Sequence, residues 1–229
     1  MKQTLIAAIL LLPLPAAGQS FDCGHARTRV EKTICADPAL KELDEHLGRY
    51  YAAGRDVLDA ASACLQSDQA QWLKSTRDTC ADAACLKAAY LNRLAELDPL
   101  QPGATAIKNI TLPAVPALVW VIPPALDTTA APSNPQAKPF ETTGAVLDEV
   151  AGGDGFMLQT GDGTKLPLVL VMFLDGKTQE ILTALAKDEG VTIRARGYAA
   201  TDGTRTYFEP SRCTFVHRLP AADHPPDED

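Results

Sequence analysis

A chain of 229 residues with 29 acidic and 21 basic side chains has room for one or two domains and a formal charge of −8. A surface of that sign repels nucleic acid and anionic lipid, and it speeds encounter with cationic partners. Six cysteines, an even number, fit an oxidising compartment in which all can pair.

Residues 1–18 read as a secretory signal, with Lys2 as the positive start, an apolar run from Leu5 to Leu14, and Ala16-Ala17-Gly18 as the cleavage site. The run is too short to span a bilayer, and Pro13 and Pro15 interrupt its end. No cysteine directly follows Gly18, so no lipid attachment point is expected. The mature chain is expected to be periplasmic or secreted, without membrane insertion, and at net −9 once Lys2 is lost.

Between Ser20 and Asp98 the apolar residues recur every three or four positions, the mark of amphipathic helices. Helix one is expected over Gly24–Ile34. Asp37 should cap helix two, with Pro38 at its first position, and Gly54 should end it. Asp56 should cap helix three, which runs to Asp78, and Asp82 should cap helix four, which ends before Pro99. The expectation is a four-helix domain over 20–98, too small to rest on its core alone and therefore stapled by disulfides.

Residues 99–139 hold nine of the 17 prolines and almost no charge. Ile110–Leu126 is apolar, but its four prolines exclude a simple membrane helix, and it should lie extended as a strap or edge strand. From Phe140 to residue 219 the period becomes that of strands. Phe140–Val150, Phe156–Thr160, Leu166–Phe173, Val191–Tyr198 and Tyr207–Val216 are predicted, with a helix over Thr178–Asp188 and turns at Asp162-Gly163 and Asp202-Gly203. This order looks like a small OB-type β-barrel. Residues 220–229 read as an acidic disordered tail. The fold class is therefore α+β: a disulfide-stapled helical domain followed by an OB-like barrel with one helix.

The helical stretch carries a particular order of residues. Phe21-Asp22-Cys23, Glu31, Ile34-Cys35, Leu43-Asp44, Trp72-Leu73, Arg77-Asp78, Cys80, Cys85-Leu86, Tyr90 and Arg93 fall in sequence. This resembles the N-terminal domain of lysozyme inhibitors of the LprI type, over about a third of the chain and with all four of the family's cysteines. The resemblance implies that Glu31, Asp44, Arg77 and Arg93 are ion-pairing positions that fix helix packing, and that Trp72 and Tyr90 belong to the core. The expected bridges are Cys35–Cys80 at the base of the hairpin and Cys23–Cys85 between helices one and four. Cys23–Cys80 with Cys35–Cys85 is the open alternative. Cys64 and Cys213, outside the pattern, should join the two domains.

Chemistry is sparse. Cys23, His25 and Cys35 match no common zinc spacing, and neither a phosphate loop nor a nucleophile elbow is present. No catalytic residue, metal or cofactor is expected, and residues 140–229, the barrel region with its acidic tail, carry −7, which argues against nucleic acid. The resemblance implies a non-catalytic inhibitor that blocks the cleft of a cationic lysozyme near its two carboxylates. Thr76–Asp82 and Gly54–Asp59 are the candidate contact segments. An envelope adaptor that binds another protein or a cell-wall component is the alternative.

Overall fold

The computed structural model describes residues 21–101, 110–124, 134–149, 155–163, 165–169, 191–202 and 205–220, together with Glu180 and Ala184. The class is α+β, with helices first and a sheet after them.

Helix α1 (Arg29–Ala36) opens on a reciprocal cap. The Thr28 hydroxyl accepts from the Glu31 amide at 3.1 Å, while the Glu31 carboxylate accepts from the amides of Thr28 and Arg27 at 2.8 and 2.7 Å. Helix α2 (Pro38–Leu58) starts at Asp37, whose carboxylate accepts from the amides of Ala39 and Leu40 at 2.9 and 3.3 Å. Helix α4 (Ala83–Leu97) starts where expected, with Asp82 accepting from the Cys85 amide at 2.8 Å.

Gly54 does not end α2, because it serves packing rather than termination. A Cβ there would lie 3.2 Å from Leu65 and 3.4 Å from Leu100, so glycine lets the three segments close together. The helix stops one turn later at Asp59, which has φ of 42° and opens a 3₁₀ turn over Asp59–Ala61. Consequently Asp56 lies inside α2, and α3 (Ser62–Trp72) begins without a side-chain cap. It continues as a π-helical turn over Leu73–Arg77. Helix one is shorter than expected: Cys23–His25 is a separate 3₁₀ turn and α1 has eight residues. The region is thus three long helices plus a two-turn one, rather than four equal members.

Among the described residues seven strands follow: β1 (Ala117–Ile122), β2 (Lys138–Glu149), β3 (Gly155–Gln159), β4 (Lys165–Val169), β5 (Thr192–Asp202), β6 (Arg205–Phe208) and β7 (Thr214–Arg218). Their order in the sheet is β1-β7-β5-β2-β3-β4-β6, with β5 also pairing with β6. All pairs are antiparallel except β4 with β6. The single closing strand expected over Tyr207–Val216 is two strands, parted by a turn through Pro210 and Ser211. The helix expected over Thr178–Asp188 falls largely outside the described residues. Within the proline-rich segment, β1 takes the sheet edge beside β7 and touches α4 on its other side. Leu118 and Val121 are wholly buried there, and Trp120 and Ile122 nearly so. Through β1 the helical core (Leu43, Leu65, Leu94, Leu97, Leu100) and the sheet core (Ile193, Ala195, Val216) form one continuous apolar body.

Candidate functional site

The pairing of cysteines corrects the expectation. Cys23 bonds Cys35 and Cys80 bonds Cys85, with Cα separations of 5.6 and 5.4 Å, so neither Cys35–Cys80 nor Cys23–Cys85 forms. The reason is local. A 3₁₀ turn at Cys23–His25 precedes α1 and the Asp82-capped start of α4 follows Cys80, and across each of these short spans, of 12 and 5 residues, the thiols pair with the neighbour in sequence. The tie between α1 and the Cys80 turn is made by Arg29 instead. Its guanidinium donates to the carbonyl of Cys80 at 2.5 Å and also to that of Ala81. The third bridge joins Cys64 on α3 to Cys213 just before β7, with Cα atoms 5.8 Å apart.

The six signature side chains separate into two groups and one outlier. Tyr90, fully buried, donates to Asp44 at 2.7 Å. Burial first, and the Asp44 carboxylate second, push its phenol far above the ordinary range, so it stays a hydrogen-bond donor. Trp72 is half-buried and meets the Tyr90 ring edge-on at 5.7 Å. Arg77 also acts on Tyr90 and pairs with Asp78 at 2.8 Å. Glu31 stands apart as the α1 cap. Hydrogen bonds from the Thr28 and Arg27 amides, with a smaller effect of Arg77, hold its carboxyl below the usual range.

Arg93, almost fully buried, belongs to a second group that crosses between the two regions. Its guanidinium donates to Gln69 at 3.0 Å and to Glu96 at 2.8 Å, and faces Asp68 at 2.8 Å. The Asp68 contact is charge against charge rather than an aligned hydrogen bond. Asp68 also accepts from Arg196 of β5 at 2.6 Å, and Arg196 lies over the Phe215 ring at 4.0 Å. Glu96 accepts from His217 Nε2 of β7 at 3.0 Å, and that histidine is wholly buried. Burial alone would raise the Glu96 carboxyl, but the His217 hydrogen bond and Arg93 outweigh it and hold it at about 2. Burial keeps the His217 imidazole below its ordinary range, against the pull of Glu96, so near neutrality it is an uncharged donor. Asp68, Glu96, Arg196 and His217 were not singled out in the sequence. The one local hint is a histidine inside the apolar strand Thr214–Arg218.

The two candidate contact segments lie at opposite ends of the helices. Thr76, Asp78, Thr79, Ala81 and Asp82 are exposed around the Cys80–Cys85 bridge, as are Arg55, Asp56, Val57 and Asp59 at the α2–α3 tip. Among the described residues no cluster of His, Cys, Asp or Glu is arranged to hold a metal, and no helix is long and apolar enough to cross a membrane.

Residues 22–103 match the family model described as lysozyme inhibitor LprI, so the resemblance read from the residue order is borne out over the helical region. Proteins named Lipoprotein LprI, from Mycobacterium bovis and from the CDC 1551 and H37Rv strains of Mycobacterium tuberculosis, are each 36% identical over 101 residues. That alignment spans 42% of this chain and 50% of each relative, so the chain matches about half the length of these curated proteins. No solved structure matches.

Proposed function

We propose that the chain is an exported, non-catalytic inhibitor that blocks the cleft of a cationic lysozyme. Export would follow loss of residues 1–18, leaving the protein in the periplasm or outside the cell. The observation that carries the reading is the family match over residues 22–103, with the ordered residues that first suggested it. The charge agrees, because an acidic chain at −8 is drawn to a cationic enzyme. In the same reading residues 140–219 are an OB-like barrel. The ring of pairings that runs β2–β3–β4–β6–β5 and back to β2, with β4 and β6 parallel, supports it. That barrel would hold a protein partner rather than nucleic acid.

The test is lysis of a cell-wall substrate by c-type, g-type and i-type lysozymes in the presence of the purified full chain. Dose-dependent protection against at least one class is expected. No protection at high micromolar concentration against any class would refute inhibition and favour an envelope adaptor.

A further inference from the structure

One hollow on the helical region is lined by Arg29, Lys32, Thr33 and Ala36 of α1 and by Asp37, the cap of α2. Both short disulfides flank it. Cys35, bonded to Cys23, lies three residues from Lys32, and Cys80, bonded to Cys85, offers its carbonyl to Arg29. Arg29 gives one N–H to each of two carbonyls and so keeps further donors of its fork. Lys32 is exposed and has no ion-pair partner among the described residues. One carboxylate, Asp37, lines the hollow beside these cations, and two more are next in sequence to its flanking turns: Asp82 after Ala81, and Asp22 before Cys23. The β region is bonded to the far end of the same helices, through Cys64, Asp68 and Glu96, and leaves this end open to an approaching molecule.

A glycosidase cleft has the inverse arrangement, with two carboxylates at its centre. The surplus positive charge of a cationic lysozyme lies on the surface outside that pair. We infer that the Arg29–Lys32 hollow is the inhibitory face, its two cations meeting the acid pair of the lysozyme cleft while the nearby carboxylates meet the cationic surface outside it. This deepens the inhibitor reading and rests on it. The two bridges and the Arg29 contacts set the backbone of this face before binding, which lowers the ordering cost that association carries.

The experiment compares Lys32→Glu with Arg55→Glu, the exposed cation of the rival contact segment at the α2–α3 tip, in the full chain against whichever c-, g- or i-type lysozyme the parent inhibits. Far-UV dichroism and the urea midpoint of each variant serve as fold controls. Lys32→Glu should weaken inhibition and direct binding about 30-fold or more, because it sets like charges against each other in the cleft. Arg55→Glu should change them by less than about twofold. A folded Lys32→Glu protein that inhibits as the parent does overturns the assignment of the face while the inhibitor reading stands. Loss in Arg55→Glu alone moves the face to the hairpin tip. A parent that inhibits none of the three enzymes defeats the inhibitor reading and this face together.

Discussion

Acid should loosen the junction between the helical region and the sheet, and the Glu96–His217 contact sets both sign and size. Glu96 is held at about 2 in the folded chain against an ordinary 4.5. A carboxylate depressed by that much stabilises the fold by about 3 kcal/mol above its unfolded pKa, and the benefit fades as pH falls from about 4.5 towards 2. His217 acts with the same sign. Its imidazole is harder to protonate folded than unfolded, so stability is full above the ordinary 6.5 of a free histidine and declines as pH falls below it. The groups that face this pair are Arg93 and Asp68 from the helices and Arg194 and Arg196 from β5. Urea midpoints measured from pH 7 to pH 2.5 should therefore fall in two overlapping steps. Glu96→Gln should be destabilised at pH 7 by about 1–3 kcal/mol, because Arg93 and His217 lose a charged partner. That variant should also lose the Glu96 part of the lower step. A Glu96→Gln protein with the parent's full acid slope between pH 4.5 and 2.5 would refute the reasoning and place the acid sensitivity elsewhere.

Three further outcomes can be measured on the purified chain. The Cys64→Ser, Cys213→Ser double variant opens a loop with a sequence separation of 149. Chain entropy puts the loss at up to about 5 kcal/mol, and a drop of less than about 2 kcal/mol in urea unfolding would show that other contacts hold the regions together. Tyr90→Phe removes a buried 2.7 Å hydrogen bond to Asp44 and should cost about 1–3 kcal/mol with little change in dichroism. Gly144→Ala would set a Cβ 2.8 Å from the backbone carbonyl oxygen of Gln159, which cannot swing away, so a loss of about 1–3 kcal/mol in thermal or urea unfolding is expected.

The sequence revealed most where one side chain decides a local outcome. Asp37 with Pro38 and Asp82 mark helix starts because a carboxylate placed there caps free amides whatever the distant chain does. Alternation located β2, β3 and β5 within a few residues, since period two depends only on which face is buried. Gly54 was misleading because glycine signals either an end or a close approach, and only Leu65 and Leu100, distant in sequence, decide between them. The disulfide pairing failed for a related reason. Placing Cys35 beside Cys80 requires the depth of α1 against the turn, and Arg29 rather than sulfur fills that contact. The Asp68, Glu96, Arg196 and His217 cluster had no signature, because its partners lie 121 and 128 residues apart.

That cluster also ties the helical region to the sheet. Once the sheet covers the site, Arg93 alone would face two carboxylates, Asp68 and Glu96, where water is scarce. One guanidinium between two buried carboxylates leaves an uncompensated negative charge, which a low-dielectric site penalises heavily. Arg196 from β5 supplies the missing cation at Asp68, and His217 from β7 supplies a donor to Glu96. The apolar side of the junction has the same character, since β1 packs between β7 and α4 and its Leu118, Trp120, Val121 and Ile122 are buried there. Charge neutrality, apolar cover and the Cys64–Cys213 bond thus all require both regions at once. A partner that engages the helical face therefore meets a body whose far end is already clamped.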